Sequence, residues 1–123
     1  MLERQLINGI EVYTVSALAQ KTYRENAKHG KNISLTVLER KLTGLIMNCY
    51  EKKHVFEDKY MCRIGSFKMI VNETTKMVEV ILWDTESHSC HGLTRDKFQG
   101  LMEVYQKLGL SKNGDKIINS SLQ

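Results

Sequence analysis

Imidazole titrates near neutrality, so the four histidines of this 123-residue chain, at 29, 54, 88 and 91, come first as acids, bases or ligands. His88, Cys90 and His91 crowd one stretch, with Asp84 and Glu86 close by. Alternation in an extended loop points His88 and Cys90 the same way, which would begin a zinc knuckle or an activated thiol. Structural zinc takes two such knuckles, and Cys49 and Cys62 supply no second one, so neither metal nor cofactor is assigned. His29 and His54 stand beside lysines at the ends of expected elements, where an exposed polar residue and a general base are both open readings. Cys49 and Cys62 fall on apolar periods and read as small core hydrophobes. Trp83 reads as a core or interface anchor or as a surface on which bases stack.

Cations give a second pattern. Lys21, Arg24, Lys28 and Lys31 recur at i, i+3, i+7 and i+10, which at about 100° per residue gathers them on one side of a helix. Such a stripe spans successive phosphates and contributes salt-dependent affinity without reading sequence. It is equally the solvated face of an ordinary amphipathic helix. Residues 1–54 hold 9 Lys and Arg against 5 Asp and Glu, while 55–123 hold 9 of each, so the whole net charge of +4 lies in the first half. No phosphate-binding glycine loop, dinucleotide fingerprint, HExxH or GxSxG is present, and those enzyme classes drop out.

The elements that must position these groups follow from length and period. A chain of this size with 41% apolar and 26% charged residues builds one core, expected over 1–110 with a mobile tail at 111–123. Its apolar runs are too short for a membrane span or a signal segment, and three cysteines without a CxxC pair suit a reducing compartment, so a cytoplasmic location is expected. Asn8-Gly9 marks a short hairpin or an extended lead-in. Helices are predicted over 14–29, with Gly30 as C-cap, over 35–50 behind Ser34, and over 94–108 behind Thr94 and ahead of Gly109. Between them the period changes from 3.6 to 2 after His54, predicting antiparallel strands at 58–64, 67–71 and 77–83. The result is an α+β domain: two N-terminal helices, a three- to four-stranded antiparallel meander and a C-terminal helix, the helices covering one sheet face. Leu38, Leu42, Leu45, Val78, Val80 and Leu82 are the expected core. Met61, Ile70, Met77, Ile81 and Trp83 then fall on the other face and need a cover, from terminal segments or from another chain.

Residues 21–85 add a resemblance. Lys-Thr-Tyr-Arg-Glu-Asn-Ala-Lys-His-Gly-Lys-Asn-Ile-Ser, a helix, Tyr-Met-Cys-Arg-Ile-Gly-Ser-Phe-Lys-Met-Ile-Val, a polar turn and Val-Glu-Val-Ile-Leu-Trp-Asp-Thr together resemble small members of the barnase, EndoU, colicin and RelE-like ribonuclease-toxin superfamily. The chain departs from them at Lys21, where such toxins often carry histidine. The resemblance implies two helices ahead of a curved antiparallel sheet, RNA as ligand and metal-independent phosphodiester cleavage. It implies Arg24 and Arg63 as phosphate contacts and His54 or His88 as the proton-transfer group. With the helix stripe, the expected nucleic-acid contacts are Lys21, Arg24, Lys28 and Arg63. The competing class is a non-enzymatic module, of the kind with which a phage or mobile element inhibits a host nucleoprotein such as a CRISPR effector. It would meet a protein partner, or a second copy of itself, through the sheet face carrying Trp83.

Overall fold

Turn chemistry sets the first contacts. Asn8 and Gly9 both take positive φ, 50° and 82°, as a two-residue hairpin turn demands and as these two residue types tolerate. They join β1 (Gln5–Ile7) to β2 (Ile10–Val12), antiparallel with Ile7 opposite Ile10. The computed structural model describes residues 5–27, 32–49, 51–64, 67–83, 95–111, 114 and 116–118. Its further elements are β3 (Thr14–Val15), α1 (Ala17–Asn26), α2 (Leu35–Met47), β4 (Glu51–Phe56), β5 (Lys59–Ile64), β6 (Phe67–Asn72), β7 (Met77–Trp83) and α3 (Arg95–Lys107). Five strands form one sheet in the order β3-β7-β6-β5-β4, antiparallel except for the parallel pair β3 and β7. The class is α+β as expected, but the sheet is larger than a three- to four-stranded meander and is mixed.

Two strands depart from the sequence pattern for opposite reasons. Val15 shares helical spacing with Leu18 and Ala19, yet the amides of Thr14 and Ser16 donate to the carbonyls of Lys76 (2.9 Å) and Val78 (3.0 Å). The first helix therefore starts at Ala17 rather than at 14. Ser16 is its N-cap, accepting from the Ala19 amide at 3.0 Å. At its other end the helix stops at Asn26, short of 29. In β4 the run Glu51-Lys52-Lys53-His54 lacks strand formers and is exposed throughout, which is how an edge strand guards against adding further strands. The second helix accordingly ends at Met47, not at 50, and Cys49 turns into the core.

A bulge in β7 changes which side chains are inside. Ile70 pairs with Val80 while Val71 pairs with Val78, so Glu79 is an extra residue and the period slips by one. Val78 and Ile81 are buried, whereas Leu82 is 51% exposed and Val80 lies half-buried. This corrects two of the expected core positions and moves Ile81 and Trp83 inward. The core is Leu38, Leu42 and Leu45 of α2 against Cys62, Met69, Val71, Val78 and Ile81 of the sheet, closed by Leu101 and Tyr105 of α3 and by Leu108 just past its end. Phe98, which belongs to the apolar stripe of α3 by spacing, is instead 53% exposed. Helices α2 and α3 meet at Gly44, where a Cβ would stand 2.6 Å from the Tyr105 ring. After α3, Gly109 (φ 76°) reverses the chain, and Leu110 bridges Ile117, so the segment expected as a tail begins with a closed turn.

Candidate functional site

Register places every outward side chain of the sheet. Cys62, Ile64, Met69, Val71, Val78 and Ile81 are buried beneath the helices, so their neighbours along each strand point the other way. One row across the strands reads Lys53, Met61, Ile70, Val80. The next reads Glu51, Arg63, Lys68, Leu82, and the third reads Phe56, Lys59, Asn72, Met77. None of these residues is buried, and among the described residues no element covers the face. Phe56, at its corner, is 59% exposed.

Charge on this face is uneven. Glu79, on the bulge, pairs with Lys59 at 3.1 Å and accepts from Asn72 Nδ2 at 3.5 Å, so the third row is internally satisfied. Lys53, Arg63 and Lys68 have no ion-pair partner among the described residues. The face is therefore an aliphatic band, Met61, Ile70, Val80 and Leu82, with three available cations interleaved. Arg63 and Lys68 were legible as outward residues from alternation alone. Val80 and Leu82 were not, because the bulge has no marker in the sequence.

The expected site residues do not come together. Lys21 is exposed on α1, and Arg24, half-buried on the same helix, donates through Nη1 to the Ile33 carbonyl, which ties α1 to the start of α2. Arg63 lies on the opposite side of the sheet from α1, whose Tyr23 packs edge-on to Trp83 with ring centroids 6.3 Å apart. One phosphate strand thus cannot bridge the α1 cations and Arg63 without passing round the sheet. Trp83 packs partly buried against the core on the helical side, so the face available to a partner is not the one that carries it. His54 is exposed on β4; its Nε2 hydrogen-bonds the Glu57 carbonyl at 2.7 Å, and its ring meets Tyr60 edge-on. Lys28 and His88 lie outside the described residues, as does the whole His88, Cys90 and His91 stretch. No group of three or more metal-ligating side chains occurs among the described residues, and no helix there is long and apolar enough to cross a membrane.

A second polar cluster sits at the inner rim, where β2, β4 and the β6–β7 turn converge. Tyr13 Oη donates to Glu73 Oε2 at 2.6 Å. Lys52 and Lys76 pair with the same carboxylate at 3.2 and 3.1 Å. Burial first, then the hydrogen bond to Glu73, push the Tyr13 hydroxyl well above its ordinary value. Burial also pushes Glu73 upward, but Tyr13, Lys76 and Lys52 outweigh it and hold the carboxyl below its ordinary range. Every oxygen of that carboxylate is engaged and the phenol is held protonated, so the cluster braces the turn and offers no general base. Tyr13 stands 60 residues from Glu73 in the chain, and no local pattern announces that pairing. A groove of about 410 Å³ along α3 is lined among the described residues by Gln99, Met102, Glu103, Gln106, Leu110 and Ile118, of which Glu103 alone is ionisable. No protein-family model matches the sequence, and no curated protein or solved structure is similar to it.

Proposed function

We propose that this chain is a non-enzymatic interaction module that docks on an acidic protein surface through the open face of its sheet. The observation that carries the reading is the pair of adjacent rows Lys53, Met61, Ile70, Val80 and Glu51, Arg63, Lys68, Leu82. Half-buried Met61, Ile70 and Val80 and exposed Leu82, gathered in one band, favour leaving water, and interleaved Arg and Lys select an acidic counterpart and speed the encounter. Sheet faces that bind single-stranded RNA depend on flat aromatic side chains under the bases. Here the band is aliphatic, with Phe56 alone at the corner, which favours protein over RNA.

The RNA reading keeps one observation of its own: Arg63 and Lys68 are direct cross-strand neighbours, a spacing suited to a phosphate backbone. Its ribonuclease form assigns proton transfer to His54 or His88. One set of measurements separates the readings. The chain is used as bait for host proteins before and after nuclease treatment, and is also titrated with labelled single-stranded RNA at low salt. Docking predicts a nuclease-resistant partner that is lost with Ile70→Glu and kept with Lys21→Glu. RNA affinity that falls with salt, by a log-log slope of about 0.7 per phosphate contact, and that Arg63→Glu removes while Ile70→Glu does not, selects RNA instead. Cleavage that survives chelator and falls about 100-fold or more in His54→Ala or His88→Ala selects the ribonuclease.

A further inference from the structure

We propose that the occupant of the open sheet face is one amphipathic helix of the partner, apolar along one stripe and acidic along one border of that stripe. This rests on the docking reading above and names what docks. Met61, Ile70 and Val80 stand side by side on β5, β6 and β7, and Leu82 extends them one step along β7. Three neighbouring strands span two strand spacings, about 10 Å, which is the breadth of a single helix.

The strands on either side close the band. On β4 the same two rows end in Lys53 and Glu51. Strand β3 consists of Thr14 and Val15 alone, and Val15 is buried on the helical side. A second sheet stacked on this face would set its outer strands against those polar ends, whereas a helix lying along β6 and β7 meets Ile70, Val80 and Leu82 and leaves the ends in water. In length, the six residues of β5 cover about 20 Å, which is matched by about 13 residues of helix.

Charge fixes which border of the helix is acidic. Arg63 and Lys68 are cross-strand neighbours on β5 and β6, so cations line the β5 side of the seat while Val80 and Leu82 line the β7 side. With Lys53, they have no ion-pair partner among the described residues. A helix with apolar residues at i, i+3, i+4 and i+7 sets that stripe on Ile70, Val80 and Leu82. Asp or Glu along its border nearest β5 then meets Arg63 and Lys68 in charge-assisted hydrogen bonds. The same distribution argues against a second copy of this chain. The face carries Lys53, Lys59, Arg63 and Lys68 against Glu51 and Glu79, so two copies face to face would bring like charges together.

Selection of displayed random peptides of about 16 residues on the full chain tests this, with enriched peptides then synthesised and followed by fluorescence anisotropy and circular dichroism. The enriched sequences should carry apolar residues at the helical period with Asp or Glu along one border, and should gain helix on binding. Ile70→Glu, or Leu82→Glu if the first variant does not fold, should weaken them about tenfold or more. Arg63→Glu should do the same and should recover affinity for a peptide whose acids are changed to Lys. Lys21→Glu, on exposed α1, should stay within about twofold of wild type. Peptides that depend on Ile70 yet alternate as a strand does, or that bind without gaining helix, overturn the helix and leave docking on this face intact. Peptides indifferent to both Ile70→Glu and Leu82→Glu, or a selection that enriches none, also overturn the helix, and the docking reading is then decided separately by the nuclease-resistant partner sought above.

Discussion

A half-buried carboxylate makes the Tyr13, Glu73, Lys52 and Lys76 cluster a pH-dependent brace. Glu73 is held below its ordinary 4.5 in the folded chain, so the unfolded state binds protons more readily. The stabilisation is complete above the ordinary carboxylate value and is lost as pH falls through the depressed folded value. Urea denaturation of the wild type and of Glu73→Gln should therefore show a gap that closes between about pH 7 and about pH 3. A gap that stays constant would mean that the network acts through shape and not through charge. Tyr13→Phe removes a hydrogen bond to a charged acceptor and should cost about 1.5 to 3 kcal/mol at neutral pH. Burial makes an equally sharp contrast between two leucines. Leu42 is 0% exposed, and Leu42→Ala should cost about 2 to 5 kcal/mol. Leu82→Ala, on the open face, should stay within about 0.5 kcal/mol of wild type in the same denaturation.

Among the elements, β7 is the hinge of the architecture, because its bulge serves two purposes. It turns Val80 and Leu82 outward, which creates the aliphatic band. It also releases the Glu79 carbonyl from the ladder, and Ser16 Oγ donates to that carbonyl at 2.7 Å while accepting from the Ala19 amide. One hydroxyl thus caps α1 and fastens it to the sheet. Ser16→Ala should lose both bonds and cost about 2 kcal/mol, the upper end for a cap, and Ser16→Thr should recover most of it in thermal unfolding. The strands should also differ in local stability. Strand β4 is exposed along its whole length, and one of its edges lacks a partner strand, so its amides should exchange fastest of the sheet. Those of β6, flanked on both sides, should exchange slowest. Equal protection of the two strands would show that the edge is covered in solution.

For the whole molecule, the placement of charge matters more than its sum. Cations stand on α1 on one side and on the outer rows of the sheet on the other, with Arg24 engaged in holding the Ile33 carbonyl. The double change Arg63→Glu and Lys68→Glu should therefore leave the unfolding midpoint nearly unchanged, since neither side chain is buried. It should slow association with an acidic partner and remove the dependence of that rate on salt. A large loss of stability in this variant would place the two residues in the structural frame instead of at an interface.

Much of the fold was present in local pattern. The period of 3.6 in Leu38, Leu42 and Leu45, the alternation of Tyr60 to Ile64, the Asn8-Gly9 turn and the Ser34 cap each act within a few residues of themselves, and each appears in the structure. Tertiary contact decided the features that local pattern cannot encode. Strand β3 exists because the amides of residues 14 and 16 find carbonyls about sixty positions away. Strand β4 exists because β5 offers it a ladder that outweighs its polar composition. The Glu79 bulge reversed the facing of half of β7, so Trp83 went inward and Leu82 outward. Cys49 and Cys62 were each legible as buried, and both lie in the core. Lys21 and Arg24 stand on the other side of the sheet from Arg63, with Lys28 outside the described residues, for the same reason: a charge pattern gives each side chain a face of its own element, and only the packing of α1 across the sheet decides which faces look the same way.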